Sequence, residues 1–464
     1  MAAVAAPALA VPDWEVMAEA VGTPAPRIFS QKMRLFGALA PVVHLWHDSA
    51  AWHPFCNQVW LLLEEMRLPH MRGTIPLDQY MKPGENLPPE FTRLGLRANI
   101  PIVQLASKSS RSNESASFGP PLREGHAVDI FRRLHQLFPE RALLPRTQKR
   151  RAFAEALFER YSHFQSSLYA LLGSRRDPQT EARYRAAMDE LDGAWSGKAG
   201  GRLSLRAWGD DGDGDAARFG GPIEGGPFLF GERPCAVDVL LLPMLERCEA
   251  NVPHPMIGMA PHLSLDRWPA LARMLAAARV PGTCAYGELG SDPKTVVGIR
   301  LGVTGQIGRL PALNPRHAAD EAAASAPECR RDAAARLCSN HVAVARFACS
   351  GSGVSRARQD AQSRPAPTPA TLGATDDALR AVADLLLRNG TDASQLLSAG
   401  RDASVQIQKI WGAPAAGHAA AALLFLAENT GVPRDMNAGP GHAFRSHLGL
   451  MSASLHSSSP HSRR

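Results

Sequence analysis

One junction constrains the fold more than any other part of the chain. Val42-Val43-His44-Leu45-Trp46 reads as a strand, Asp48-Ser49-Ala50-Ala51 as a short polar turn, and Pro54 opens an amphipathic run to Glu65. A strand passing so quickly into a Pro-led helix predicts a βα unit with the helix N-terminus at the end of the strand. Unpaired backbone N–H groups and the positive end of the helix dipole meet there, and together they favour an anion. His53 and Cys56 flank Pro54-Phe55 at that place. Cys56 shares three- and four-residue spacings with Val59, Trp60, Leu63 and Met66, so it belongs to the inward stripe as a small hydrophobe. His53 has two readings: a neutral ring that donates a hydrogen bond to a bound thiolate, or a solvent-facing cap residue without chemistry.

Further motifs turn this junction into a family resemblance. Ala51-Trp52-His53-Pro54-Phe55-Cys56-Asn57-Gln58-Val59-Trp60-Leu61 is similar to the pattern Ala-Trp-Cys-Pro-Tyr-Cys-Gln-Lys-Val-Trp-Leu of cysteine-type members of the glutathione transferase superfamily. These are the omega-like, lambda-like and dehydroascorbate-reductase-like enzymes, here in their long plastid-type form. Asn99-Ile100-Pro101-Ile102-Val103-Gln104-Leu105 resembles the family strand that opens with a cis proline, where the preceding residue holds the cysteinyl part of glutathione. His126-Ala127-Val128-Asp129-Ile130 lines up with the Glu-Ser-x-Asp-Ile helix start that grips the γ-glutamyl group. Gly226-Pro227-Phe228-Leu229-Phe230-Gly231 and Cys235-Ala236-Val237-Asp238 are similar to Gly-Pro-Phe-x-x-Gly and the Ser/Thr-x-x-Asp capping box.

Three departures stand beside these matches. His53 replaces the nucleophilic cysteine, and His126 and Ala127 replace the gripping pair. A cap hydroxyl lost to alanine costs about 1 kcal/mol as well as a ligand contact. Cys235 is a weak substitute for a capping hydroxyl.

The resemblance implies an N-terminal extension over 1–39 and an α/β thioredoxin-like N-terminal domain over 40–145. An all-α glutathione-transferase C-terminal domain over 150–290 and a helical extension with a disordered linker over 291–464 follow. It implies glutathione as co-substrate in a cleft between the first two domains, with Phe55, Ile100, Pro101, His126 and Ala127 around it and His53 as the catalytic position. A small electrophilic or disulfide substrate is the second partner, and a homodimer is left open. Without a thiol at position 53, conjugation by the thiolate of glutathione and thiol transfer both remain readings. So do a non-catalytic binding or scaffold protein of the same fold and an assembly module acting through the C-terminal helices.

Composition narrows the remainder. At 464 residues, 45% hydrophobic and 20% charged, the chain is long enough for two or three cored domains. The net charge of +7 is modest for that length, and the basic run from Arg146 to Arg151 reads as a solvated connector rather than a nucleic-acid surface. Seven cysteines make no disulfide framework and point to a reducing compartment. Cys329, Cys338, His341 and Cys349 have no zinc spacing. Asp211, Asp213 and Asp215 open like a calcium loop, but Ala216 and Pro222 occupy the positions of its glycine and its bidentate glutamate. No run of about 20 apolar residues reads as a membrane span. The alanine-rich start lacks the arginines and serines of a transit peptide, so the cytosol is expected, with the chloroplast left open by the resemblance.

Periodicity supplies the rest of the layout. Strands are expected around Met71 to Ile75 and Ile102 to Leu105, and a helix over Val128 to Leu137. An inserted, Ser/Gly-rich segment spans 107–121. After Arg150 the stripes become helical: Phe153, Leu157, Phe164, Leu168 and Leu171, then Tyr184, Met188, Leu191 and Trp195. A Gly/Asp-rich loop covers 197–226; helices are expected near 333–347, 376–387 and 419–427, with a disordered linker over 350–371.

Overall fold

The computed structural model describes residues 9–24, 26–75, 87–94, 100–107, 117–122, 126–173, 177–196, 219, 226–303, 315–352, 367–388 and 392–457. The acidic turn at 211–215, and most of the insertion at 107–121, of the 197–226 loop and of the linker at 350–371, lie outside these residues. The chain divides into two units: residues 27–307, and residues 1–26 together with 308–464.

Helix α1 (Trp14–Val21) belongs to the discontinuous unit. The other unit begins with β1 (Met33–Arg34), β2 (Val43–Asp48), α2 (Pro54–Glu65) and β3 (His70–Ile75). β2 and β3 are parallel from Val43↔His70 to Asp48↔Ile75, with α2 as the crossover that a parallel pair requires. A short α3 (Pro89–Thr92) precedes β4 (Ile102–Ala106), which runs antiparallel to β2 from Val43↔Leu105 to Trp46↔Ile102. β5 (Phe118–Pro121) forms a hairpin with β4 and leads to α4 (Ala127–Leu137), which completes a sheet of order β1-β3-β2-β4-β5 with its helices. This is the thioredoxin-like arrangement that the junction implies.

The period of two in β2 separates its faces. Val43 and Leu45 share one core with Leu61 and Leu62 of α2 and Ile130, Phe131 and Leu134 of α4. Trp46 turns to the other face, with Cys56, Ile75, Phe91, Ile100 and Ile102. Its register partner is Gly73, where a Cβ would stand 2.3 Å from the indole ring.

An all-helical domain continues the same unit through α5 (Gln148–Gly173), α6 (Pro178–Ser196), α7 (Ala236–Asn251), α8 (Pro269–Ala278), α9 (Tyr286–Leu289) and α10 (Pro293–Val303). Both predicted stripes are buried, from Phe153 to Leu171 and from Tyr184 to Trp195. The capping box of Cys235 and Asp238 forms: Asp238 Oδ2 accepts the Cys235 N–H at 2.8 Å, while Oδ1 accepts the Leu229 N–H at 3.0 Å and the Trp195 indole N–H at 2.8 Å. The basic run is not a solvated connector throughout, because α5 begins at Gln148 and turns Arg150 inward, to 3% exposure.

The discontinuous unit adds α11 (Pro315–Ala324), α12 (Pro327–Ser352), α13 (Pro369–Leu387), α14 (Ala393–Asn429) and α15 (Ala438–Ser457). Its core is rich in alanine, with Ala334, Ala378, Ala381, Ala419 and Ala420 all buried. α14 is two helices meeting at Gly412, whose φ of 81° and ψ of 158° suit a residue without a side chain. The whole Ala393–Asn429 stretch is long and apolar enough, by length and composition, to cross a membrane. No continuous apolar run marks it in the sequence, because many small residues raise the average, and Leu396, Ile407, Leu423 and Leu426 are buried in the unit's core.

Candidate functional site

The candidate site is the turn from Asp48 to Cys56, and its geometry starts with Asp48. The carboxylate at the end of β2 accepts the Trp52 N–H at 2.7 Å through Oδ2 and the His53 N–H at 3.1 Å through Oδ1. The turn places Ala51 at φ 49°, a left-handed conformation uncommon for a residue with a side chain, and Asn57 braces it by donating to the Ala51 carbonyl at 2.9 Å. Burial pushes the Asp48 carboxyl up from its ordinary value, and the two backbone N–H groups hold it back.

His53 stands at the N-cap position of α2 with extended backbone. It is not a solvent-facing cap: it is 6% exposed, and its ring meets Phe55 edge-on at 5.2 Å. Burial pushes its imidazole down to about 4, and the charge of Arg247 acts in the same direction, so the ring is neutral at physiological pH. Cys56 is fully buried, and burial pushes its thiol well up, with the Asp48 charge adding to the effect. It is a packing residue, but it joins the cluster of Trp46, Ile100 and Ile102 rather than the core that holds Val59, Trp60, Leu63 and Met66, because α2 is buried on more than one face.

The helical domain covers the turn. Arg247, on α7, donates to the Trp52 carbonyl and to its neighbour Glu246, and its guanidinium lies 5.8 Å from the centre of the Trp52 ring. Glu246 in turn accepts from the Tyr286 hydroxyl at 2.9 Å and from the Ser291 N–H. The Trp52 indole N–H points to the Val296 carbonyl on α10 at 3.4 Å. Gln58, one turn into α2, donates to the Tyr161 hydroxyl and to the Leu240 carbonyl, both at 2.6 Å. Asp48, Arg247, Glu246 and Gln58 are the residues that the sequence reading missed. Their signals were there: an Asp at a strand end before a turn, and a Glu-Arg pair closing the apolar run from Val237 to Leu245.

The other expected site residues are dispersed around this turn. Phe55 is half-buried and lies against both His53 and Tyr169, 6.2 Å from the latter ring. The Ile100–Pro101 peptide is cis, as the resemblance implies, and Ile100 shares the small apolar cluster with Cys56 and Trp46. His126 occupies the N-cap of α4, exposed and without a capping hydrogen bond from its side chain, while Ala127 is buried in the main core. Cys329, Cys338, His341 and Cys349 lie along α12, where His341 bonds Asp376 and Cys349 bonds Thr375.

Solved structures similar to this chain include three with related names. A glutathione transferase Omega 1C from Trametes versicolor has 14% identity over 58% of this chain and 100% of its own, with a TM-score of 0.40. The Omega 2S transferase of the same organism has 14% identity over 53% and 92%, at 0.37. A dehydroascorbate reductase from Chlamydomonas reinhardtii has 18% identity over 57% and 99%, at 0.36. No family model matches the chain, and no curated protein matches it.

Proposed function

We propose that this glutathione-transferase-like chain performs no thiol chemistry at position 53 and serves as a binding or scaffold protein of that fold. One observation carries the reading: the turn that leads into α2 is satisfied from within the protein. Asp48 takes the N–H groups of Trp52 and His53, and Arg247 takes the Trp52 carbonyl. A glutathione sulfur brought to this turn would meet a buried carboxylate, which opposes a thiolate instead of stabilising it. The substitutions at His126 and Ala127 agree, since neither supplies the carboxylate or hydroxyl of the family's gripping pair. Residues for a strong glutathione site are therefore incomplete. All seven cysteines are thiols, which suits a reducing compartment such as the cytosol.

The neutral, buried ring of His53 favours a second reading. In it, glutathione is the co-substrate, its thiolate attacks a small electrophile, and His53 donates a hydrogen bond to the sulfur. Calorimetric titration with glutathione, together with a conjugation assay on an aromatic electrophile, separates the two. The proposed reading expects no conjugation above the uncatalysed rate and no change in His53→Ala. Conjugation that falls in a folded His53→Ala variant would overturn it.

A further inference from the structure

Residues 9–22 are built into the discontinuous unit by specific contacts. The Trp14 ring stacks on His341 of α12, with centroids 4.2 Å apart and planes 20° from parallel. Asp376 of α13 holds both rings: Oδ2 accepts the Trp14 indole N–H at 3.0 Å, and Oδ1 bonds His341 Nδ1 at 2.8 Å. Arg380, one turn further along α13, donates to Asp13 at 2.7 Å. Arg331 of α12 donates to the Ala20 carbonyl at 2.9 Å, and Gln406 of α14 accepts the Ala10 N–H at 2.7 Å. Beneath these polar contacts, Leu9, Met17 and Val21 join the core that α12, α13 and α14 share.

We infer that residues 9–22 are a strap that closes the C-terminal helical unit, so that this unit is assembled from both ends of the chain. Three helices are engaged at once, each by a contact of different chemistry. An appendage resting on the surface has no need of a carboxylate that fixes two rings, nor of a methionine buried to 1% exposure. Any processing that removes residues past Trp14 takes away the clamp on α12 and α13, whatever becomes of the α2 turn.

Two experiments on the full chain test this. Hydrogen exchange is compared among the parent, Trp14→Ala/Met17→Ala and Val16→Ala, the last altering a 58% exposed position on the same helix. The double variant should exchange roughly tenfold faster or more in peptides from α12 and α13, with β2 and β3 unchanged and Val16→Ala like the parent. Unchanged α12 and α13 peptides would sink the inference. The second experiment guards against wholesale unfolding of the variant: a specific-protease site is inserted after Thr23 and cut in the folded protein. The N-terminal fragment should then co-elute with the rest of the chain on gel filtration, and its loss would equally overturn the strap.

Discussion

Asp48 and His53 are joined through the main chain, the carboxylate Oδ1 accepting the His53 N–H at 3.1 Å. The negative group of the turn is thus part of the framework that shapes α2. A thiol introduced at position 53 will feel it, as the Cys56 thiol already does. The His53→Cys variant should therefore be alkylated slowly at neutral pH and gain little glutathione-dependent reductase activity. Adding Asp48→Asn should speed alkylation, about tenfold for each pKa unit by which the thiol falls. Mass spectrometry of the labelled variants checks this; fast labelling of the single variant would show that Arg247 outweighs Asp48.

Buried histidines make the 27–307 unit sensitive to acid. Burial pushes His47 to about 3, and His53 and His70 to about 4, from an ordinary 6.5. Between those values the unfolded chain binds protons that the folded protein does not. Stability present above pH 6.5 is therefore lost as the pH falls toward 4. The urea midpoint of this unit, followed by hydrogen exchange or fluorescence, should drop on going from about pH 7.5 to about pH 5. A midpoint that holds or rises over that range would mean that the Asp48, Glu64, Glu65 and Asp238 carboxyls, which burial pushes up, outweigh these rings.

Gly73→Ala should destabilise the sheet by about 1–3 kcal/mol, because the new methyl overpacks the Trp46 ring. Chemical denaturation measures the loss. Combining it with Trp46→Leu should cost less than the two single losses added together, since the leucine side chain vacates the space the methyl enters. Simple additivity would mean that the close approach of Gly73 to Trp46 is not what excludes a side chain there.

Cysteine labelling tests the packing of α2 in the native protein. Cys56 is fully buried, whereas Cys349 is half-buried on α12. Burial pushes both thiols up, and far more so for Cys56. Alkylation followed by peptide mapping should modify Cys349 well before Cys56.

Legibility in the sequence follows how local the determining contacts are. β2, α2 and the stripes of α5 and α6 are readable because their periodicities lie within a few turns of chain. α15 is not, because Gly439, Pro440 and Gly441 in its first turn read as a chain break. β1 is hidden for a different reason: two residues are too few to show alternation. At the site, the apolar character of α2 signals that Cys56 is buried, but not that it packs with Trp46 and Ile100. The burial of His53 has no such signal, since what covers its neighbour Trp52 arrives 195 residues later in Arg247 and 244 residues later in Val296.

The strap also sets an order of events during synthesis. Trp14 precedes its partner Asp376 by 362 residues, a gap that translation at ~5–20 residues per second takes on the order of 20–70 s to cross. Until α12 is made, Trp14, Met17 and Val21 lack the helices they pack against, and the Asp376 clamp comes later still. Glu15 and Glu19 stand exposed on the same short helix and keep the waiting segment wetted. Helix α1 is thus made long before its clamp is complete, and a nascent chain stalled before residue 376 would present it as bait for a chaperone.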